Sequence, residues 1–395
     1  MKNGNFLLLI HHHHPFYLDE NGRVWLSSAI GRWVNALSLY MEIGLLLYQS
    51  HQKLSQQDTL VDQRHVHVYS LGARKSLHGR WIVTKKYREV CFHAGKEADA
   101  LLIRGITPHQ HSIWRHVDVD RKAFLLVGSL AQIKQTPRSI PDVLSVFLHW
   151  LHIWELKKFA REQTLMLANS PVLTQEIENK LHVPARFIPT SSISSKELTE
   201  PFDKPVQNPC RLLYCGRLDL QKGLVELINA TAVLRSSGWN CQLDIVGEKT
   251  NPVYAELQNL SEQLGIAGHI HWHGFVHYGD ALFDLYRQAD VFVLPTYTEG
   301  FPRTIWEAAA HCAPIVTTSV GGIPAMLENG KHCLLVPPMD RAALAAAIQR
   351  MLENDPLRQR IINNAYQLVQ EYTVESCAKK MASILMSEWG LNGRK

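Results

Sequence analysis

Short apolar runs separated by helical patterns fill the second half of the chain and constrain its fold most strongly. The runs predicted as buried strands are 212–215, 243–246, 270–272, 291–294, 315–317 and 334–336. Amphipathic segments between them predict helices, among them 223–236, 254–264 and 341–352. Gly238 and Gly265 follow two of these helices, where glycine commonly ends a helix. Strands alternating with helices predict a parallel sheet with right-handed crossovers, which is a doubly wound α/β domain.

The first half carries the same pattern more weakly. Its predicted strands are 6–10, 66–69, 100–103, 124–127, 165–168 and 187–189. A helix is predicted over 142–161, and the polar, proline-containing stretch 191–209 has the composition of a linker. A chain of 395 residues is long enough for two domains. We therefore predict two Rossmann-like domains facing across a cleft, with a ligand at the carboxyl ends of the strands.

Composition excludes several classes of protein. A hydrophobic content of 46% with 19% charged residues is typical of a folded globular chain. The seven cysteines form no CxxC pair, so we predict small core residues and a reducing cytoplasm instead of zinc or disulfides. The apolar run 36–48 is too short for a membrane span and contains Glu42. The apolar run 6–10 is too short for an export signal, so we expect a cytoplasmic protein.

Basic residues concentrate in residues 1–200, although the whole chain has a formal net charge of only +5. The basic stretch 73–88 also contains Trp81 and Tyr87. Two interpretations stay open at this point: peripheral contact with anionic lipid at the cytoplasmic face of the inner membrane, or an ordinary solvated surface. No feature of the sequence predicts nucleic acid as a partner.

The segment YCGRLDLQKG, residues 214–223, places two cations just after a predicted strand. Gly216 ends the strand, Arg217 follows it, and Lys222 lies at the predicted start of a helix. An arginine fork, a lysine ammonium and a helix N-terminus together suit a diphosphate. The alternative is an ordinary surface loop.

The segment EGFPRTIWEAAA, residues 299–310, places two glutamates, with seven residues between them, around a predicted helix start. Carboxylates are good acceptors for sugar hydroxyls, so Glu299 and Glu307 are candidates for sugar binding. The alternatives are a helix N-terminal acid for Glu299 and a partner for a nearby cation for Glu307. Proline suits the first helical turn, where its missing N–H costs nothing. The backbone expected to face a ligand oxygen belongs to Gly300, Phe301, Pro302 and Arg303.

Five segments in order resemble glycosyltransferase family 4, also called group 1: GRLxxxKG, HGFV, E-x7-E, SVGGIP and CLLVPPMD. The resemblance covers roughly residues 165–390. It implies the GT-B fold and a retaining, metal-independent hexosyltransferase that uses a nucleotide-diphosphate sugar and needs no cofactor. It also implies a domain for the acceptor over 1–195, a domain for the donor over 196–372, and a C-terminal helix over 373–395 that crosses back to the first domain.

Site roles follow from the resemblance residue by residue. Arg217 and Lys222 hold the donor diphosphate, Glu299 contacts hydroxyls of the transferred sugar, and these three are the expected catalytic residues. Glu307 accepts hydrogen bonds from the ribose. The backbone that borders the base belongs to Gly274, Phe275 and Val276. The acceptor is a hydroxyl of a glycan or of a lipid-linked glycan, as in the synthesis of bacterial surface polysaccharides.

Other classes share this architecture and remain as alternatives. A nucleotide-sugar epimerase converts the donor with no acceptor present. A binding protein keeps the donor pocket without catalysis. A phosphorylase needs a cofactor lysine or a dependence on phosphate, and the sequence identifies neither.

The first half departs from the family pattern in two places. Members carry a glycine-rich loop after the first strand, whereas this chain reads DENGRVWLSSAIGRW, where Gly31 is the nearest substitute. Members also place a histidine after a middle strand, where this chain has Ser129. His12 and His13 follow the first strand and are candidates for the cleft, although a loop with solvent-facing imidazoles is the alternative.

A DxD motif is formed by Asp118 and Asp120. In another transferase fold such a motif holds a metal ion. Because basic residues flank it here, we predict a solvated turn and no metal site.

Overall fold

The computed structural model describes residues 6–54, 57–73, 85–105, 110–127, 153–162, 164–202, 204–249 and 252–391. Ser129, most of the basic stretch 73–88 and the first part of the helix predicted over 142–161 lie outside these residues. Two compact units are present: residues 1–192 with 374–395, and residues 193–373. The division lies at the beginning of the polar stretch 191–209. The cleft predicted between the domains stays a prediction.

The first unit is built on a ten-stranded sheet. Its strands are β1 (Leu7–His11), β2 (Phe16–Leu18), β3 (Val24–Leu26), β4 (Glu42–Ser50), β5 (Thr59–Leu60), β6 (Val66–Ala73), β7 (Ala100–Arg104), β8 (Arg121–Leu126), β9 (Leu165–Ala168) and β10 (Ala185–Phe187). Its helices before the linker are α1 (Ser28–Leu37), α2 (Lys85–Glu97), α3 (Gln110–His116), α4 (153–161) and α5 (Pro171–Leu181). The strand order is β10-β9-β8-β7-β1-β4-β2-β3-β5, with β6 also paired to β4.

All six strands predicted in the first half are present; β9 has the predicted bounds, and the other five have shifted ends. The prediction missed four others, of which β4 matters most because it lies between β1 and β6 and is buried from Ile43 to Leu47. A strand covered on both faces lacks the alternation that marks a strand, and its apolar run merges with the end of α1. The stretch 19–33 is also no simple loop, because β2 and β3 form an antiparallel hairpin there and α1 follows it.

The second unit has a six-stranded sheet in which every recorded pairing is parallel. Its strands are β11 (Cys210–Cys215), β12 (Cys241–Val246), β13 (Ile270–Gly274), β14 (Val291–Leu294), β15 (Ile315–Thr318) and β16 (Leu334–Val336). Its helices are α6 (Leu224–Ser236), α7 (Pro252–Gln263), α8 (Asp280–Gln288), α9 (Arg303–Ala310), α10 (Ile323–Met326), α11 (Arg341–Glu353) and α12 (Asp355–Gln370). All six predicted strands and the three predicted helices named above are confirmed.

The strand order in this sheet is β13-β12-β11-β14-β15-β16. From β11 the chain winds outward in one direction to β13, and from β14 it winds outward in the other direction. Between β11 and β14 the winding direction therefore reverses. In doubly wound folds, ligands bind outside the carboxyl ends of the strands at such a switch point.

The last helix, α13 (Val374–Glu388), belongs to the first unit. Its buried face, with Met381 and Leu385, joins the same apolar cluster as Ile30 and Val34 of α1. The seven cysteines are free and buried, as predicted for small core residues. Among the described residues, no helix combines the length and the apolar character needed to cross a bilayer.

Candidate functional site

A structured turn follows β11 at the switch point. The buried hydroxyl of Tyr214 donates to the backbone oxygen of Arg217 at 2.7 Å. The side chain of Asp219 accepts from the backbone N–H of Gln221 at 3.0 Å and caps a 3-10 turn over Leu220–Lys222. Lys222 thus lies on this turn, just before α6, and not at the start of the helix as predicted. The turn fixes the backbone of both cations.

The loop after β14 is bonded to that turn through backbone groups. The N–H of Tyr297 donates to the carbonyl oxygen of Gln221 at 2.8 Å, and the hydroxyl of Thr296 reaches the same oxygen at 3.3 Å. The hydroxyl of Thr318, at the end of β15, donates to the oxygen of Thr296 at 2.5 Å. The carboxyl ends of β11, β14 and β15 are therefore held as one surface.

Two glycines allow these segments to approach so closely. A Cβ on Gly223, whose φ is +69°, would lie 1.9 Å from the oxygen of Pro295. A Cβ on Gly321, whose φ is +53°, would lie 1.7 Å from the oxygen of Glu299. Both positions combine a left-handed backbone with a steric clash for any other residue, so glycine is required there. They fix the loop that carries Glu299 against its neighbours.

Lys222 and Glu299 meet in this arrangement. The Lys222 ammonium forms an ion pair with Oε1 of Glu299, and their side chains are 13% and 19% exposed. Arg217 is exposed, and its guanidinium contacts no carboxylate among the residues that the structure describes. This edge therefore holds one internally neutralised pair and, in the turn that leads to Lys222, one cation without a carboxylate contact.

Glu307 lies in α9 with only 7% of its surface exposed. Its Oε2 accepts from the hydroxyl of Tyr286 at 2.9 Å, so an uncharged donor stabilises the carboxylate. Burial, and then the charge of Glu307, raise the pKa of Cys215 to about 12. Because Cys215 ends β11, the carboxylate lies close to the switch point.

The N-terminus of α9 differs in detail from the prediction. Pro302 precedes the helix, which begins at Arg303, so the proline is outside the first turn. The ring of Phe301 packs at 4.6 Å from that of Trp306, which directs this side chain into the core. The oxygen of Gly300 accepts from the N–H of Gly322 at 2.7 Å, and Arg303 is exposed.

The carboxyl ends of β11, β12 and β13 are joined by backbone hydrogen bonds at glycines. The N–H of Gly216 donates to Val246 at 3.0 Å, and the N–H of Gly247 donates to Gly274 at 2.9 Å. Beyond this edge Phe275 is 54% exposed, and Val276 is half-buried. We refer to Gly216, Gly274, Phe275 and Val276 as the rim, which lies at the same sheet edge as the turn that carries Arg217.

The histidines that follow the first strand differ in exposure: His11 and His12 are buried, whereas His13 faces solvent. His11 is the last residue of β1, and its Nδ1 bonds to the oxygen of Leu46 at 2.8 Å. His12 is 3% exposed, and its Nε2 lies 2.8 Å from Arg104. Burial, followed by the charge of Arg104, lowers the pKa of His12 well below its usual value. His13 is exposed and stacks on His12, with ring centroids 4.3 Å apart.

Gly31 does not replace a glycine-rich loop. It lies inside α1, and its N–H already donates to the oxygen of Ser27 at 2.8 Å. A Cβ there would lie 2.7 Å from Thr59, so this glycine serves close packing of the helix. Asp118 and Asp120 are exposed in the connection between α3 and β8, which agrees with the predicted solvated turn.

Sequence reasoning missed three residues that shape these sites. Tyr214 supports the turn of Arg217, Tyr286 supports Glu307, and Arg104 contacts His12. Arg104 had a readable signal, because it follows four buried residues of a strand. The two tyrosines lie in apolar surroundings that predict ordinary core residues.

Residues 197–368 match the family described as glycosyl transferases group 1. An uncharacterized glycosyltransferase of Methanocaldococcus jannaschii is 33% identical over 184 residues, 46% of each chain. The capsular polysaccharide biosynthesis glycosyltransferase CapM of Staphylococcus aureus is 28% identical over 180 residues, 45% of this chain and 46% of its own. The chain thus matches about half the length of these curated relatives.

Likeness to solved structures extends over both units. HepE of Anabaena, crystallised in complex with UDP and glucose, is similar with a TM-score of 0.72 and 18% identity. The match covers 97% of this chain and 100% of that one. The fold is GT-B, as predicted.

Proposed function

We propose that the chain transfers a sugar from a nucleotide-diphosphate sugar to a hydroxyl acceptor, because residues 197–368 match the group 1 glycosyl transferases. The observation that carries the proposal is the ion pair between Lys222 and Glu299 at the switch point of the second sheet, with Arg217 in the turn that leads to Lys222. The cations suit the diphosphate of such a nucleotide sugar, and the carboxylate suits the hydroxyls of its sugar.

Each residue has a distinct role in the proposed reaction. The guanidinium of Arg217 and the ammonium of Lys222 bind the diphosphate, Glu299 orients the sugar, and Glu307 accepts from the ribose. The rim formed by Gly216, Gly274, Phe275 and Val276 borders the base. HepE, which was crystallised with UDP and glucose, supports a donor of this class.

Breaking the bond between sugar and phosphate builds negative charge on the leaving diphosphate. Fixed cations stabilise that charge more as it develops than in the ground state, and this lowers the barrier. We propose front-face attack by the acceptor hydroxyl with retention at the anomeric carbon, and a phosphate oxygen takes the hydroxyl proton. Glu299 is assigned to positioning and not to covalent catalysis. In this scheme Arg217 and Lys222 supply the charge that a divalent metal supplies in other transferases.

The proposed acceptor is a glycan or lipid-linked glycan, and the proposed product is a bacterial surface polysaccharide. The name of CapM, a capsular polysaccharide biosynthesis enzyme, supports this pathway. A hexose is the proposed sugar, and the cytoplasmic face of the inner membrane, with peripheral contact to anionic lipid, is the proposed location.

A thermal-shift panel of UDP-, GDP-, ADP- and CMP-sugars tests the donor class. We expect one base to raise the melting temperature clearly above the others. Incubation of that donor with glycan acceptors, followed by mass spectrometry of the product, then tests transfer. Donor conversion without an acceptor would favour an epimerase, and binding without any conversion would favour a donor-binding protein.

A further inference from the structure

The ion pair between Lys222 and Glu299 is built into the fold of the second unit. The turn that carries Lys222 and the loop that carries Glu299 are joined at Gln221 by the bonds from Tyr297 and Thr296. Close packing at Gly223 holds that turn against Pro295, and close packing at Gly321 holds the backbone of Glu299 against the segment after β15. Because the two backbones are fixed side by side, the partly buried side chains of Lys222 and Glu299 form an ion pair whenever no ligand separates them.

Bound diphosphate changes the partner of Lys222. A diphosphate carries more negative charge than a carboxylate, and beside Arg217 it competes for the ammonium. Glu299 shows no second cationic partner among the described residues, so on release its carboxylate faces the bound anion at short range. Like charges at such a distance repel, and at a partly exposed site the repulsion is worth about 1 kcal/mol or more, which is about fivefold or more in affinity.

We propose that Glu299 is an internal counterion which makes the site prefer the nucleotide sugar over the free nucleoside diphosphate. Hydroxyls of a bound sugar donate to the released carboxylate and compensate it. A nucleoside diphosphate without the sugar offers no such donors, so the carboxylate repels it and returns to Lys222 when it leaves. Glu299 thereby weakens binding of the product and favours its release. This inference rests on the proposed function.

The test compares two ligands on one variant. We would measure, by titration calorimetry, the Kd of UDP, GDP and ADP and of their glucose esters, using the base that binds best to the wild-type chain. Glu299→Gln keeps the size of the side chain and removes its charge. We expect the Kd of the nucleoside diphosphate to fall about fivefold to tenfold. The sugar ester should not gain in the same way, because it loses a charge-assisted hydrogen bond.

Glu328→Gln is the matched control, because Glu328 also pairs with a lysine of the second unit, Lys331, on the exposed surface. It removes the same charge and should leave both Kd values unchanged. Glu299→Ala serves as a second variant, with the same expected fall for the nucleoside diphosphate, if the glutamine variant unfolds.

The possible failures are distinguishable. If the wild-type chain binds neither ligand of any base, the proposed function fails and the inference fails with it. If it binds both, yet the ratio of the two Kd values in Glu299→Gln equals that of the wild type, the counterion role is contradicted while the donor site stands.

Discussion

The carboxyl edges of the two sheets use charge in different ways. In the second unit the loops after β11 and β14 are joined through their backbones, and the cation of Lys222 meets the carboxylate of Glu299. In the first unit the charge of Arg104 lies against the buried ring of His12, whose pKa is held low. In the second unit, Lys222 can exchange its internal partner for a ligand. In the first unit, a neutral imidazole stays beside the cation of Arg104.

This difference explains why the site at the edge of the second sheet could be predicted from the sequence better than the one at the edge of the first sheet. Close backbone approach requires glycine at fixed positions, such as Gly223 and Gly321, and such requirements leave a spacing in the sequence. Burial of His12 depends on neighbours distant in the chain, which leaves no local pattern. A buried side chain whose partner is distant in the chain, as His12 is with Arg104, is therefore harder to find than a residue in a local motif.

The largest expected effect is a loss of sugar-transfer activity when a cation at the edge of the second sheet is removed. Arg217→Ala removes the cation that lacks a carboxylate partner, and we expect turnover to fall about 100- to 1,000-fold while the fold survives. Initial rates of sugar transfer and a melting curve would measure this. Arg350→Ala, an exposed arginine on α11, should leave the rate unchanged. Normal turnover in Arg217→Ala would remove the diphosphate assignment.

Backbone packing at the second edge is tested by a pair of glycine variants. Gly223→Ala places a methyl group 1.9 Å from the oxygen of Pro295, whereas Gly265→Ala has a similar φ, +67°, and open space around it. We expect about 1 kcal/mol of destabilisation for Gly265→Ala, from backbone strain alone. Gly223→Ala should cost about 3 kcal/mol or more. Equal losses in urea denaturation would show that the close approach is absent.

At the carboxyl edge of the first unit's sheet, the buried His12 leads us to expect that stability depends on pH. The pKa of His12 in the folded chain is well below its usual value of 6.5. At a pH between the folded and the unfolded pKa, the unfolded chain binds more protons, so stability falls as the pH falls below about 6.5. The contribution is complete well above that pH and is lost progressively as the pH falls toward the folded pKa. Urea denaturation of His12→Gln should lack this part of the slope. His13→Gln, at an exposed neighbour, should keep it.

The smallest expected effect concerns metal. Transfer should persist in EDTA, and the double variant Asp118→Asn with Asp120→Asn should keep wild-type rates, because both carboxylates are exposed in a connection of the first unit. Rates measured with and without manganese would check this. A strict need for manganese would contradict the assignment of the charge compensation to Arg217 and Lys222.

Much of the second unit could be predicted because its strands are short, buried and separated by helices with clear ends. In the first unit β4 was missed. Burial of both its faces removes the alternation of polar and apolar residues, and its apolar run continues from the end of α1. Gly31 shows the same limit, because a glycine in a helix and a glycine in a loop look alike until Thr59 is placed beside it.

A crystal structure with the nucleotide sugar that gives the largest thermal shift tests the central claim most directly. Diphosphate oxygens should lie within hydrogen-bond distance of Arg217 and Lys222, with Glu299 released from Lys222 and bound to a sugar hydroxyl. A diphosphate bound away from both cations would contradict the account.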